Sequence, residues 1–360
     1  LSETAKPAFV ERLNKEYEAV REQHARKKPR TPPVTLAEAR ANATDLDWDN
    51  YTPPAPLQPG VHTFENYSIK EIREYIDWTP FFLTWSLAGK YPRILDDEIV
   101  GEEAKRLFKD ANAMLDELEA SGKVQAAGVL GIFPANRVDD DLEVYTDESR
   151  SQVLTRLCGL RQQTQKGEGY PNSCLSDFVA PKTSGKADYI GAFAVTGGIG
   201  ESELIEAYKA ELDDYNAIMM SAVCDRLAEG FAELLHKKVR KEIWGYVPNE
   251  DFANDDLIRE KYQGIRPAPG YPACPEHTEK GEIWKLLNVE QAIGMKLTES
   301  YAMWPGAAVS GWYFSHPESK YFTVAQIQQD QVEDYAKRKG MTLAEAERWL
   351  GPNLGYSPEA

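Results

Sequence analysis

Positive charge is scarce in this sequence, and long apolar runs are missing. Lysine and arginine account for 41 of the 360 residues against 58 aspartates and glutamates, a formal net charge of −17. A nucleic-acid partner requires clustered basic residues, so this balance argues against one. No apolar stretch approaches the roughly 20 residues of a membrane-spanning helix, and the first residues do not have a signal-peptide pattern. We therefore expect a cytoplasmic protein without nucleic-acid or membrane partners.

Cysteine and histidine are also few and scattered. The four cysteines lie far apart and form no CxxC pair; they are Cys158, Cys174, Cys224 and Cys274. We expect no disulfide framework in a chain of this length, and a reducing compartment is favoured. The nearest approach to a metal cluster is Cys274, Glu276, His277 and Glu279, but this spacing fits no zinc pattern. The segment predicts a plain loop followed by a helix that starts at Thr278, and no metal.

Common catalytic and nucleotide-binding motifs are absent as well. VTGGIGESE at 195–203 has a glycine turn before a helix, but neither GxGxxG nor GxxxxGK[ST] occurs. Glu201 and Glu203 would place negative charge where a phosphate would bind at the helix N-terminus. There is no GxSxG nucleophile motif. A dinucleotide-binding fold and a serine hydrolase are therefore poor interpretations.

The chain is organised as a helix, a proline-rich linker and a large domain. Residues 7–24 have apolar side chains at helical spacing, and the prolines of RKKPRTPPV and TPPAPLQPG interrupt any helix that follows. We predict that residues 1–45 are the last helix of a preceding domain plus a linker, and that 46–360 form one domain. The chain opens on Leu1, so we expect a fragment of a longer protein.

The pattern within the domain predicts an α+β fold with a largely antiparallel twisted sheet and surrounding helices. Its strands occur in neighbouring hairpin-like pairs rather than in βαβ alternation. The predicted strands are 126–135, 142–147, 187–198, 296–304 and 306–315, the last two adjacent. The predicted helices are 68–76, 97–121, 201–241, 255–262, 279–295, 324–338 and 342–349.

Three segments have a composition suited to ligand binding. Asp77 lies among the aromatic residues of IDWTPFFLTWSLAGKYPRIL, where an ionised carboxylate is costly unless it is paired; it could also simply cap a turn that ends at Pro80. The loop RPAPGYPACPEH at 266–277 is stiffened by four prolines and carries Arg266 and Tyr271, although proline-rich turns also join elements in many folds. SGWYFSHPESKYF at 310–322 is rich in rings, which pack in cores more often than they face ligands.

These segments, together with RQQT and DFVAPKTSGKADYIGAFAVTGG, occur in the order found in one protein family. Over residues 26–360 the chain resembles the C-terminal activation domain of cobalamin-dependent methionine synthase. The resemblance implies a domain that binds S-adenosylmethionine and docks over the cobalamin domain of the same polypeptide. It also implies that a flavodoxin-type donor reduces cob(II)alamin, and that S-adenosylmethionine then methylates the cofactor to restore methylcobalamin.

The resemblance also implies roles for individual residues. Arg266 would bind the ligand carboxylate, Asp77 the ammonium, and the backbone of Ala268 the adenine edge, while Tyr321 and Phe322 would close the pocket. Tyr271 would face the corrin on docking. Further residues at matching positions are Glu229 and Glu260, which would help to hold the site, and Glu201 and Asp225, which would meet the cobalamin domain.

The chain departs from the complete enzyme in ways that limit its function. Its five histidines occur in no DxHxxG cobalt-ligating motif, and the zinc-cysteine and folate sites are absent. The resemblance thus implies a ligand-binding and docking module of a methyltransferase. Two alternatives remain open: an acidic, tryptophan-rich hydrolase or carbohydrate-binding protein, which needs two carboxylates about 5–10 Å apart in an aromatic cleft, and a structural domain that binds no small molecule.

Overall fold

The structure is a computed structural model that describes residues 4–26 and 31–358. Its strands are β1 (Gly60–Tyr67), β2 (Gln125–Val138), β3 (Asp141–Tyr145), β4 (Val153–Leu157), β5 (Asp188–Ile199), β6 (Lys296–Leu297), β7 (Met303–Trp304) and β8 (Ala308–Tyr313). Its α-helices are α1 (Lys6–Arg26), α2 (Leu36–Ala41), α3 (Ile69–Ile72), α4 (Thr79–Thr84), α5 (Gly101–Ser121), α6 (Glu201–Ala210), α7 (Asp214–Lys238), α8 (Asn254–Ile258), α9 (Lys280–Leu287), α10 (Val289–Ile293), α11 (Gln329–Lys339) and α12 (Leu343–Trp349). A π-helical turn, Val239–Ile243, continues α7.

The domain is built on a six-stranded sheet in which every pair of neighbouring strands is antiparallel. The strand order is β4-β3-β2-β5-β8, and β1 pairs with β2 as well. Helices cover both faces. These features confirm the predicted α+β fold with a largely antiparallel sheet. The order also makes β8 an edge strand, and this edge positions the site described below.

Alternation along β5 separates two hydrophobic cores. Because successive side chains of a strand point to opposite faces, Phe193 and Val195 pack with the core that contains α5 and α7, whereas Ala192 and Ala194 pack with the core that contains α9 and α10. Burial on both faces explains why this strand reads as an almost continuous apolar run. A third, smaller core lies beneath α11 and α12.

Two helices show how the sequence sets their ends and their buried faces. In α5, apolar residues such as Leu107 and Leu115 recur at helical spacing and are buried. The helix ends at Gly122, which adopts the left-handed conformation with φ +62° that favours glycine at this position. The longer α7 lies across the sheet and is buried along most of its length, so it has polar residues mainly where it faces the cleft and the solvent.

One strand prediction is wrong, and several elements were missed. Residues 296–304 do not form a strand beside 306–315; β6 and β7 pair with each other as a separate ribbon, while β8 pairs with β5. Tyr301, with φ +58°, turns the chain between β6 and β7. The unpredicted elements are β1, which is half exposed and polar, β4, which is a largely exposed edge strand, and the short α4.

The N-terminal segment contains the predicted helix, α1, whose apolar residues Phe9, Tyr17 and Val20 are 40–51% exposed. The part of the linker that follows packs on the domain. Leu36 is buried, and Arg40 forms ion pairs with buried or half-buried carboxylates of the domain. The domain boundary after residue 45 stays a prediction, although contacts with the domain already begin before it.

Candidate functional site

A cleft of about 600 Å³ opens along the β8 edge of the sheet. This volume lies in the range of clefts that bind small molecules. Its walls come from α7, the proline loop, the ribbon of β6 and β7, β8 and the segment after it. The lining residues are Glu229, Glu260, Arg266, Pro267, Ala268, Pro269, Gly270, Tyr271, Pro272, Ala273, His277, Lys280, Ala302, Met303, Ala308, Val309, Ser310, Tyr321, Phe322 and Thr323.

The start of the proline loop is held against β8 as a short additional strand. Ile265 exchanges both backbone hydrogen bonds with Phe314, at 3.1 and 3.0 Å, and the Trp312 N–H donates to the Pro267 carbonyl at 2.9 Å. Close approach at this point requires a glycine, since a Cβ on Gly311 would lie 2.7 Å from the Pro267 carbonyl oxygen. The sheet edge therefore fixes where the loop enters the cleft.

The rest of the loop is supported from below by two basic side chains. The loop turns at Gly270, which has φ +94° and packs so closely on His277 that a Cβ would lie 2.5 Å from the ring. Lys280 Nζ donates to His277 Nδ1 at 2.8 Å and to the Tyr301 carbonyl at 2.9 Å. Burial lowers the pKa of both Lys280 and His277. One ammonium group thus joins the proline loop to the opposite wall of the cleft.

The guanidinium of Arg266 is held in place by three side chains. Nη2 lies 2.8 Å from a carboxylate oxygen of Glu233. Nη1 donates to the Tyr262 hydroxyl at 2.7 Å and lies 3.2 Å from His236 Nδ1. An arginine has five N–H donors, so these contacts with the described residues leave two, including Nε–H, for a fork toward a ligand.

The Arg266 contacts continue into a buried network of charges. Burial alone would lower the pKa of Arg266, but the carboxylate of Glu233 and the surrounding tyrosines together raise the pKa overall. Arg240 lies 3.9 Å from Glu233 and is paired with Glu250 through two contacts of 2.8 Å. Burial, with the two guanidinium charges, lowers the pKa of His236 well below its usual value. The ring is therefore neutral, and its Nδ1 can accept from Arg266.

Two carboxylates give the cleft its negative charge. Glu229 projects from α7, and Glu260 follows α8. Burial raises the pKa of Glu260, while the charge of Arg266 acts in the opposite direction. The backbone of Glu260 has φ +52°, a strained conformation for a residue other than glycine.

Seven of the eight residues predicted to bind the ligand line this cleft: Arg266, Ala268, Tyr271, Tyr321, Phe322, Glu229 and Glu260. The Tyr321 hydroxyl accepts from the Arg266 N–H at 3.0 Å, which ties the segment after β8 to the loop. Phe322 packs on the core beneath the cleft. Tyr271 is 64% exposed at the cleft mouth, and its contact with another domain stays a prediction.

Asp77 is the predicted ligand residue that does not line the cleft. Its Oδ1 accepts from the Thr79 N–H at 2.9 Å, which is the turn-capping role considered from the sequence. The segment that carries Asp77 packs on α7, the helix that bears Glu229. Ile76, next to Asp77, packs against Gly230 of α7, and Gly230 follows Glu229 in the sequence.

The two acidic residues predicted to meet another domain are close in space. Burial raises the pKa of Glu201 and of Asp225, and Asp225 adds to the upward shift of the Glu201 pKa. Glu201 is buried and contacts the N–H of Ala307, next to the cleft residue Ala308. The pair thus lies beside the β8 end of the cleft.

Sequence reasoning missed the residues that hold Arg266. Two of these, Glu233 and His236, follow Glu229 on one side of α7, because spacings of four and three residues return to the same helix face. Arg240, which pairs with Glu233, comes four residues later in the π-helical turn that continues α7. A polar stripe on an otherwise buried helix could have been recognised as a sign of a site. His277 was weighed only as a metal ligand. Within residues 4–26 and 31–358, no group of three or more His, Cys, Asp or Glu side chains is arranged to hold a metal.

Comparison with known proteins finds one matching protein family and a similar solved structure. Residues 68–340 match the family model of the vitamin B12 dependent methionine synthase activation domain. A crystal structure described as the MetH reactivation domain bound to AdoHcy has 67% sequence identity and a TM-score of 0.90, and the match covers 91% of this chain and 100% of that one. None of the helices in the described part of the chain is both long and apolar enough to cross a membrane.

Proposed function

This chain belongs to the family of vitamin B12 dependent methionine synthase activation domains, and we propose that it binds S-adenosylmethionine in the cleft along β8. The main support is the convergence of Arg266, two carboxylates and a fixed loop on one cleft of suitable volume. The AdoHcy bound to the similar reactivation domain is the demethylated form of this ligand, which adds support.

In this proposal each part of the ligand has a partner of matching chemistry. The two remaining N–H groups of Arg266 would bind the carboxylate, since a forked, charge-assisted pair is strong. Glu229 and Glu260 would lie near the positive charges of the ligand, and Asp77 would take the ammonium from its position beside α7. Tyr321 and Phe322 would cover the ligand, and the backbone of Ala268 would meet the adenine.

We further propose that the chain acts as the reactivation module of a methyltransferase. It would dock on the cobalamin domain of the same polypeptide through Tyr271, Glu201 and Asp225. A flavodoxin-type donor would supply one electron to cob(II)alamin, and the resulting cob(I)alamin would take the methyl group from the sulfonium. The products are methylcobalamin and S-adenosylhomocysteine. The loop that lines the cleft is fixed, so it would hold the methyl donor in one position. This favours the transfer, because a small displacement of the methyl donor lowers the rate steeply.

Calorimetric titration with S-adenosylmethionine tests the binding site. The variant Arg266→Lys keeps a positive charge beside Glu233 but loses the fork, and we expect at least a tenfold weaker Kd. Arg266→Ala should cost on the order of 2–5 kcal/mol of binding free energy. It also leaves Glu233 without its nearest partner, so its fold must be verified by circular dichroism.

Arg137→Ala is the matched control. Arg137 is also half-buried, pairs with the buried carboxylate of Asp177 at 2.9 Å, and does not line the cleft. Its loss should lower stability and leave the Kd unchanged. Equal affinities for wild type and Arg266→Lys would move the carboxylate site elsewhere. If the folded wild-type chain binds no S-adenosylmethionine, the proposal is wrong and a docking function alone remains.

A further inference from the structure

The register of the proline loop against β8 has a consequence for hydrogen bonding. In this antiparallel pairing, residue numbers in each facing pair add to the same total, since Ile265 faces Phe314 and Pro267 faces Trp312. Continued by two residues, the register sets Pro269 opposite Ser310. A regular ladder would have the N–H at each loop position donate to the carbonyl of the facing β8 residue.

Both loop positions that should donate are prolines. Pro267 and Pro269 have no N–H, so the carbonyls of Trp312 and Ser310 receive no ladder hydrogen bond from this segment. The hydrogen bonds between β8 and β5, on the other side of β8, do not involve these two carbonyls. Because Trp312 N–H points to the loop, the backbone groups of Ser310, two residues away, point the same way and not toward β5. The Ser310 carbonyl is therefore left without a ladder hydrogen bond from the loop at a point where β8 borders the cleft.

The side chain at this point is itself without a partner. Ser310 is 2% exposed and lines the cleft, and its hydroxyl makes no hydrogen bond within the described part of the chain. A buried hydroxyl without a partner is costly. The same short stretch of edge strand thus presents a carbonyl acceptor and a hydroxyl group to the cleft.

We propose that Ser310 is a ligand-binding residue that recognises the purine of an S-adenosyl ligand. This inference rests on the proposed function and adds a specificity determinant to the same site. The Ser310 carbonyl accepts from the exocyclic amino group of adenine, and the hydroxyl donates to a neighbouring ring nitrogen. Ala268, next to Pro269 on the facing strand, contacts the purine from the other side of the cleft. An open peptide edge suits a base that offers a donor beside an acceptor.

The variant Ser310→Ala separates a ligand contact from a structural role. Calorimetry with S-adenosylhomocysteine should show about three- to tenfold weaker binding, the range expected for one hydrogen bond. The midpoint of urea unfolding of the free protein should stay the same or rise, because the variant removes an unpaired buried hydroxyl. A structural hydroxyl would instead give lower stability and unchanged affinity.

Ser173→Ala is the matched control, since Ser173 is also buried but its hydroxyl lies 3.0 Å from that of Thr44 and away from the cleft. We expect it to lower stability and to leave the Kd unchanged. S-inosylhomocysteine tests the carbonyl separately: its 6-oxo group faces the Ser310 carbonyl, and it should bind wild type at least tenfold more weakly than S-adenosylhomocysteine.

The outcomes distinguish this inference from the proposed function. If wild type binds S-adenosylhomocysteine, while Ser310→Ala binds it equally well and the inosyl analogue binds as tightly, then Ser310 has no role in recognition, although the domain still binds its ligand. If wild type binds neither compound, the proposed function itself fails.

Discussion

Asp188 provides a direct test of how burial controls protonation in this fold. The residue begins β5 and is 3% exposed. Its carboxylate accepts from the N–H groups of Ala180 and Tyr189, both at 2.7 Å. Burial nevertheless raises its pKa from 3.8 to about 7, against the effect of these bonds and of Arg150.

The sign of the pH effect follows from the direction of this shift. A carboxyl group whose pKa is higher in the folded state binds more protons folded than unfolded, so its contribution to stability is full below the unfolded pKa and is lost as the pH rises through about 7. A shift of about three pKa units corresponds to roughly 4 kcal/mol over the whole window. Between about pH 5 and about pH 8 the loss amounts to roughly 3 kcal/mol.

The assay compares urea unfolding of wild type and Asp188→Asn at these two pH values. Asparagine does not titrate, so the wild type should lose roughly 3 kcal/mol relative to the variant as the pH rises. The comparison is needed because burial also raises the pKa of Glu279 to about 7. The pH dependence of wild-type stability alone would therefore contain the titration of both carboxyl groups. A stability difference that stays constant with pH would refute a raised pKa at Asp188.

Two further predictions concern packing, and both are measured by chemical denaturation. A Cβ on Gly159 would lie 2.1 Å from the carbonyl oxygen of Asp140, so Gly159→Ala should destabilise the protein by about 1–3 kcal/mol. Gly167→Ala is the control and should change stability little, because the nearest atom to its Cβ is 3.8 Å away. Equal losses of stability in the two variants would contradict the argument. Phe231→Ala empties a fully buried position on α7 and should cost about 3–5 kcal/mol, whereas Ile99→Ala, at a residue that is 91% exposed, should stay within about 0.5 kcal/mol.

Local sequence patterns predicted the elements that depend on local physics. The apolar stripe of α5 and the doubly buried run of β5 were found close to their observed bounds, because periodicity and burial determine both. The strand β1 was missed since its residues are half exposed and polar. The separation of the β6–β7 ribbon from β8 depends on which strand each segment pairs with, and that partner lies far away in the chain.

The candidate site also has parts that the sequence predicted and parts that it did not. Arg266 and its loop were recognisable from their composition, and the resemblance supplied their role. Its contact with Glu233 was not predictable, because the two residues lie on different elements and meet only when α7 packs beside the sheet edge. The position of Asp77 outside the cleft lining likewise depends on how the α3–α4 segment packs on α7.

The charges around the cleft bear on which ligand the site should favour. Arg266 is already balanced by Glu233 at 2.8 Å, so a ligand carboxylate adds negative charge to a buried pair that is close to neutral. Glu229 and Glu260 add more, and Lys280 is directed at His277 and Tyr301. A ligand that brings only a carboxylate would therefore raise the electrostatic cost of binding. One that brings a carboxylate together with an ammonium and a sulfonium would offset it, because Glu229 and Glu260 place two carboxylates in the cleft. On the proposed function, this charge balance favours the methylated ligand over its demethylated product, which is the direction that a methyl donor site requires.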